Sequence, residues 1–326
     1  MSNDYNFDDV IPVEINTEQP QLCQILYDDE YKTTMGILLA LLKNEEYSER
    51  ALYITQKGIE LLASHYTIWI YRYDILTKLN KDLFEELDWC EQVALENEKN
   101  YQIWNYRQLI IDRILKTSGD EKEGSTKRKY EPHREFPILE AMLDSDPKNH
   151  HVWSYRKWLV EKFDLFNDPK ELEFVDKCIL ADLRNNSAWN HRYFLKFAKV
   201  DLITEESVKN ELQYVESLIE QLPQNPSSWN YLIGIYQKQG LKLSGLEDFC
   251  LKFINLKELE LNDNSFKAVK SLYALEMLAK IFLERKDYKD SIKVYDLLGT
   301  QYDTIRSNYW KYEKSKVETI VGGTTH

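Results

Sequence analysis

Glycine and proline are scarce in this 326-residue chain, at ten and eight, under half of an average combined share of roughly 12%. That excludes collagen-like chains and low-complexity linkers. It also argues against β-sandwich and α/β folds, whose turns consume glycine. Cysteine is scarce as well. Cys23, Cys90, Cys178 and Cys250 lie 67, 88 and 72 residues apart, which fits no metal or redox spacing. They are expected to be small buried apolar residues in a reducing compartment. Long apolar runs are missing. The longest is Ile37–Leu42, far short of the roughly 20 residues of a membrane span, so no membrane insertion is expected. The polar opening MSNDYNFDDV is no signal peptide, and the closing Gly-Gly-Thr-Thr-His carries no lipidation or retention signal. A cytoplasmic location is the expectation.

Positive charge is in deficit. Lys and Arg number 42 against 55 Asp and Glu, for a formal net charge of −13. A dedicated nucleic-acid binder would present a basic surface, so no nucleic-acid partner is expected. The charge aids solubility or favours a basic partner, and it leaves room for a local cationic pocket. There is no P-loop, GxSxG or HExxH. The run Lys127-Arg128-Lys129 reads as part of a solvated loop.

Aromatic residues, by contrast, are plentiful, with eight Trp and 22 Tyr. Taken in order, the tryptophans expose an internal repeat: Trp69-Ile-Tyr-Arg72, Trp104-Asn-Tyr-Arg107, Trp153-Ser-Tyr-Arg156, Trp189-Asn-His-Arg192, Trp229-Asn-Tyr-Leu232 and Trp310-Lys-Tyr-Glu313. Successive Trp lie 35, 49, 36, 40 and 81 residues apart. A period in the mid-thirties is what a pair of helices plus two turns requires. The longer 104-to-153 interval holds a polar run, 116–132, read as a loop insertion. The 229-to-310 interval holds a helical pair without the Trp mark, its second half spanning about 272–298.

Each unit has one grammar. An acidic amphipathic helix, as in 82–96, is followed by a polar turn, Asn97-Glu98-Lys99-Asn100. Asn100 then caps a second helix whose first turn is Tyr101, Gln102, Ile103 and Trp104. Trp104 and Arg107 are three apart and share a face. Such a Trp fills the gap between adjacent helical pairs, and the Arg satisfies carbonyls or acidic groups of a neighbouring helix.

WxYR at this spacing, behind Asn-Tyr or Asn-x, resembles the α-subunit repeat of protein prenyltransferases. The segments EKNYQIWNYRQLII, DPKNHHVWSYRKWLV, RNNSAWNHRYFL and SSWNYLIGI carry the resemblance, together with the early YSERALYITQKGIELLASHYTIWIYR and the late DTIRSNYWKYEKS. It covers about 10–316. The length and the DTIRxxYW ending point to the branch shared by protein farnesyltransferase and type I geranylgeranyltransferase. The resemblance implies an all-α fold, an α-α superhelix forming a crescent-shaped solenoid of helical hairpins. It implies a single solenoid over 21–316, with an acidic tail at 1–20 and a flexible tail at 317–326; both the N-terminal tail and the 116–132 insertion are expected to be mobile.

It further implies an enzyme subunit that works as a heterodimer with a β subunit. The reaction moves a farnesyl or geranylgeranyl group from its diphosphate to the cysteine of a C-terminal CaaX motif. Zinc would be bound by the β subunit and not by this chain, and magnesium would accompany the diphosphate in the farnesyl-transferring form. Lys99 matches the family lysine aimed at the leaving diphosphate, where a preorganised cation lowers the barrier. Tyr101 matches a tyrosine near the diphosphate, and Gln102 the glutamine that holds the peptide carboxylate. Tyr66 matches a tyrosine on the peptide side. Asn149, His150 and His151 fall where the family places Asn, Tyr and His by the diphosphate. His150 stands at the usual Tyr, where imidazole still donates a hydrogen bond. A metal site at His150-His151 is disfavoured, since adjacent helical residues point about 100° apart and no third ligand is evident. Lys148 is a second cation before the next turn. The rival reading is a tetratricopeptide-like scaffold without catalysis, which composition and period fit equally well; Arg three residues after Trp in four consecutive units separates the two.

Overall fold

The computed structural model describes residues 5–15, 22–23, 25–119, 128–255 and 268–323. These residues are overwhelmingly helical, and the one β feature among them is an isolated bridge between Ile254 and Val269. The chain divides into two compact units, Met1–Phe163 and Asp164–His326. The first contains α1 (Asp29–Lys43), α2 (Glu49–Leu61), α3 (Tyr66–Leu79), α4 (Leu83–Glu96), α5 (Tyr101–Gly119), α6 (Phe136–Ser145) and α7 (His150–Phe163). The second opens with α8 (Pro169–Ala181), α9 (Asn186–Phe197), α10 (Glu205–Gln221) and α11 (Pro226–Gln239). No helix of the described residues is long and apolar enough to cross a membrane.

Capping chemistry explains these boundaries. Ser48, Asp82, Asp168 and Thr204 open α2, α4, α8 and α10 by accepting a backbone N–H with the side chain. Asparagine opens α5, α7, α9 and α11, whereas α3 starts after His65 without a side-chain cap. Asn100 Oδ1 accepts from the Gln102 N–H at 2.8 Å, Asn149 from His151 at 3.1 Å, Asn185 from Ser187 at 3.1 Å and Asn225 from Ser227 at 3.1 Å. Asn80 and Gly240, at φ 51° and 63°, turn the chain out of α3 and α11 in the left-handed conformation.

Each residue of the WxYR text has a separate task. The Trp sits three residues into its helix and is buried at all six repeats. At four of them the indole N–H donates back to a carbonyl six residues earlier, Trp69 to Ala63 at 2.8 Å, Trp153 to Pro147 at 3.0 Å, Trp189 to Leu183 at 2.8 Å and Trp229 to Pro223 at 2.9 Å, while Trp310 donates to the Asp303 carboxylate at 3.0 Å. The ring then packs on the Tyr of the following repeat, with centroids 4.8 Å apart for Trp69 and Tyr106, 5.0 Å for Trp104 and Tyr155 and 4.9 Å for Trp189 and Tyr231.

The Tyr and the Arg meet at buried glutamates. Glu86 accepts the Tyr106 hydroxyl at 2.7 Å and both arms of the Arg72 fork at 2.7 and 2.8 Å. Glu135, with no exposed surface, accepts Tyr155 at 2.9 Å and Arg107 at 2.9 and 2.7 Å. Glu171 meets His191 Nε2 at 2.6 Å, and Glu211 accepts Tyr231 at 2.6 Å and pairs with Arg192. In every case the hydroxyl or imidazole lies 20 residues after its Glu, within one hairpin. Arg72, Arg107 and Arg192 come from the preceding hairpin. The repeat is therefore joined by buried charges that are paired and hydrogen-bonded to one another, which offsets the cost of taking them out of water; at Glu135 all three of these bonds fall on Oε2, while Oε1 has Arg134 Nε at 3.8 Å.

Several boundaries differ from the sequence reading. The polar run expected as a loop from Lys116 begins inside α5, which continues to Gly119. Thr117 Oγ1 donates to the carbonyls of Arg113 and Ile114 and keeps its polar group within the helix. Residues 120–127 of that run lie outside the described residues. The stretch 272–298 is itself a pair of helices, Leu272–Glu284 and Tyr288–Leu297, divided where Lys286 takes φ 65° and Asp287 caps the next turn. The tail expected from 317 is helical to Gly323, in the helix Ser307–Gly323. Part of the acidic N-terminal segment is tied down. The Val13 N–H donates to the Gly36 carbonyl at 3.0 Å, Pro12 packs where a Cβ on Gly36 would clash, and Asp9 takes both arms of Arg50 at 2.6 and 2.9 Å. Of the cysteines, Cys90 and Cys250 are buried, and burial pushes both thiols up to about 12. Cys23 is exposed, contrary to the expectation of burial.

These joints set a stability test. Glu135→Ala leaves the Arg107 guanidinium buried without its counter-charge and should lower the unfolding free energy by about 3–5 kcal/mol. Trp104→Ala should cost a similar ~3–5 kcal/mol through the cavity it leaves. Removing the exposed Lys57–Glu60 pair should cost under about 1 kcal/mol. Urea titrations of the three variants check the ranking.

Candidate functional site

The start of every second helix in the first unit presents backbone N–H groups and the positive end of a dipole. α3 neighbours α5, and α5 neighbours α7. Tyr101 is the first residue of α5, with about half its surface exposed. His150 is the first residue of α7, followed by His151. The Tyr101 and His151 rings stack, with centroids 6.0 Å apart and planes inclined at 27°. The His150 and His151 rings lie 3.7 Å apart. Among the described residues no group of three or more His, Cys, Asp or Glu could hold a metal ion.

Lys99 lies in the turn that enters α5. Three bonds tie that turn to the one entering α7. The Asn149 amide donates to the Glu98 carbonyl at 2.8 Å, Ser145 Oγ donates to Glu98 Oε1 at 2.8 Å, and the Lys99 ammonium pairs with the Asp146 carboxylate. Asn149 is buried and does two jobs, capping α7 with its oxygen and gripping the neighbouring turn with its nitrogen. The Lys99 side chain is 72% exposed and that of Asp146 26%. Lys148 donates its backbone N–H to Asp146 Oδ1 at 3.2 Å.

The electrostatics follow from this placement. The bond from Lys99 holds the Asp146 carboxyl below its usual range. Partial burial, then His150 and the Lys99 charge, push the His151 imidazole below the usual 6.5. His151 therefore stays neutral near pH 7 and offers an N–H donor beside an ammonium. An exposed cation, helix N-terminal N–H groups and imidazole donors together suit a multiply charged anion.

Lys99, Tyr101, Asn149, His150 and His151 are thus brought to one place. Gln102 is half-buried in the first turn of α5, its backbone N–H on Asn100. Tyr66, the first residue of α3, is well exposed and has its ring 6.3 Å from that of His65; among the described residues no ring contact or hydrogen bond joins it to the Lys99 group. Sequence reasoning missed Asp146 and Glu98. The register held a signal for the first: Asp146 is three before the capping Asn149, as Asn97 is before Asn100 and Asp182 before Asn185.

The protein prenyltransferase alpha subunit repeat matches residues 83–114, 132–163, 168–195 and 208–239. These are the four hairpins that carry the buried carboxylates, and Glu86, Glu135, Glu171 and Glu211 are each the fourth residue of a matched segment. The chain is 57% identical over 317 residues to the protein farnesyltransferase/geranylgeranyltransferase type-1 subunit alpha of Candida albicans, covering 97% of this chain and 98% of that one. It is 30% identical to the subunit of the same name from Arabidopsis thaliana, over 97% and 96% of the two chains. Among solved structures, a chain of the Candida albicans protein geranylgeranyltransferase-I complexed with GGPP superposes with a TM-score of 0.89 at 57% identity, covering 97% of this chain and 99% of that one.

Burial disfavours the imidazolium of His151, so the folded state binds that proton more weakly than the unfolded chain. The contribution of His151 to stability is full above about pH 6.5 and declines as pH falls below it. An NMR titration should place the His151 midpoint below 6.5, and Lys99→Ala should move it upward by removing a neighbouring positive charge. A His151 midpoint at or above 6.5 in the unsubstituted chain contradicts this.

Proposed function

The chain belongs to the protein prenyltransferase alpha subunit repeat family, and from that premise we propose that it is the α subunit of a heterodimeric prenyltransferase. Its partner is a β subunit. Together they transfer a farnesyl or geranylgeranyl group from the diphosphate to the thiol of a C-terminal CaaX cysteine. The observation that carries this reading is the exposed Lys99 ammonium held beside the N-termini of α5 and α7 in a chain of net charge −13.

In the transfer, the cysteine sulfur forms a bond to C1 of the isoprenoid as the C1–O bond to diphosphate breaks. The electron pair of that bond leaves on the diphosphate oxygen, so negative charge grows there in the transition state. Lys99 neutralises it, and the Tyr101 hydroxyl and the His150 and His151 N–H groups donate to the remaining oxygens. Asn149 holds the two helix entries at a fixed separation through Glu98. Gln102 and Tyr66 lie toward the peptide, Gln102 offering the carboxylate an amide donor without adding charge. Zinc, which supplies the thiolate when bound, belongs to the β subunit, and magnesium would accompany the diphosphate in the farnesyl-transferring form. This chain acts on the leaving group and on the alignment of the two substrates.

Co-expression with a β subunit tests the assignment. The heterodimer should transfer an isoprenoid to a C-terminal Cys peptide, and the chain alone should not. Lys99→Ala should leave assembly intact and lower kcat by about 10²–10³, the cost of removing one preorganised electrostatic donor. Full turnover in an assembled Lys99→Ala heterodimer would remove Lys99 from the chemistry. Failure of every β partner to confer transfer would favour the scaffold reading.

A further inference from the structure

We propose that Asp146 is the resident counter-ion of Lys99: it occupies the ammonium while the site is empty, and an incoming diphosphate must displace it. The proposal rests on the reading of Lys99 given above and deepens it.

The two halves of the pair are built differently. Asp146 is fixed. Its backbone N–H donates to the Met142 carbonyl at 2.9 Å, its carbonyl accepts from Asn149 at 3.0 Å, and its Oδ1 accepts the Lys148 N–H at 3.2 Å. Only Oδ2 is left to face Lys99. Lys99 is an ammonium on a flexible four-carbon stem with most of its side chain in solvent. The turn that carries it is itself anchored by the Glu98 bonds to Ser145 and Asn149. The base of the lysine is therefore held, the carboxylate is held, and the ammonium alone is free to change partners.

An exposed ion pair of this kind is weak. It restrains Lys99 beside the start of α7, where its charge is felt at His151, yet it yields to a more highly charged competitor. A single small anion gains little by taking the ammonium from a carboxylate of equal charge. A diphosphate, with several charges and with N–H donors of two helix entries to meet them, gains more. Asp146 thus raises the threshold for occupancy and withdraws when the ligand arrives. Its role is positioning and selection, and it makes no contact with the reacting atoms.

The test is a double-variant cycle on the assembled heterodimer, with the dissociation constant of farnesyl or geranylgeranyl diphosphate as the readout. Asp146→Asn keeps an oxygen for the Lys148 N–H and removes the charge. It should bind diphosphate about two- to fivefold more tightly at low ionic strength, the range an exposed pair allows. The gain should shrink in high salt and vanish in a Lys99→Ala background. Asp146→Glu, which keeps the charge, should bind as the unsubstituted enzyme does. A purely structural role for Asp146 would weaken binding in both backgrounds. Unchanged or weaker binding by Asp146→Asn, an equal gain with and without Lys99, or a gain in Asp146→Glu equal to that in Asp146→Asn would each overturn the proposal. The two readings fail separately. Lys99→Ala with intact turnover sinks the role of Lys99 itself, whereas lost turnover in Lys99→Ala with no gain in Asp146→Asn sinks the counter-ion alone.

Discussion

A buried carboxylate shared between two hairpins is the interaction on which this chain is built. Glu86, Glu135 and Glu211 each take a hydroxyl from their own hairpin and a guanidinium from the one before. Neither partner alone would suffice. A guanidinium without the carboxylate is a buried unpaired charge, and a carboxylate without the hydroxyl keeps unsatisfied lone pairs. Because the Tyr stands two residues after the Trp and the Arg three, one helical turn faces its own hairpin and the next at once. The indole bond to the preceding turn then fixes the depth of that helix. Where the carboxylate is absent, the pattern changes. Twenty residues before Tyr71 stands Ala51, and the Tyr71 hydroxyl turns to the Glu46 carbonyl. After Trp229 the Arg gives way to Leu232, and the next helix, Glu247–Leu251, is a short one.

The site inherits its geometry from these joints. The Trp153 indole bond to Pro147 and the packing of Trp104 on Tyr155 set α7 against α5, so their first residues, Tyr101 and His150, arrive at the same edge. The Asn caps convert that edge into a continuous structure, because Asn149 reaches from its own helix to the Glu98 carbonyl of the previous turn. The same device recurs in the second unit, where Asn225 donates to the Leu183 carbonyl. The turns that enter α5 and α7 are therefore braced by the repeat itself, and no dedicated scaffold is needed around Lys99.

Much of this was legible in the sequence. Trp and Arg at spacing three, Asn before the second helix and an acidic amphipathic helix before that are local patterns, and local patterns survive into the fold. The glutamates were not legible by type. They are four among 55 acidic residues, most of them on solvated faces, and what distinguishes them is burial and a partner 20 residues away. The pairing of Lys99 with Asp146 spans 47 residues, and only the packing of two turns creates it. Beyond 316 nothing local marks the helix that the structure places there; Val317, buried, carries it onward. The histidines illustrate a finer point. At 191 an imidazole stands where its neighbours have Tyr, and it keeps the bond to Glu171. If position 150 serves the donor role proposed above, imidazole in place of Tyr can fill it in the same way.

Charge ties the site to the rest of the molecule. A chain of net charge −13 repels an anion at long range, so any anion held at Lys99 must be drawn by charge within about a Debye length of the ammonium. The helix starts supply donors that carry no formal charge, and His151 supplies one more because burial keeps it neutral. If the site takes the diphosphate proposed above, further lysines would strengthen capture but also hold the released diphosphate. On the proposed reading, the Lys99 ammonium over a bed of neutral N–H groups gives its largest contribution when charge develops on the leaving oxygen, which is where stabilisation alters rate as well as affinity.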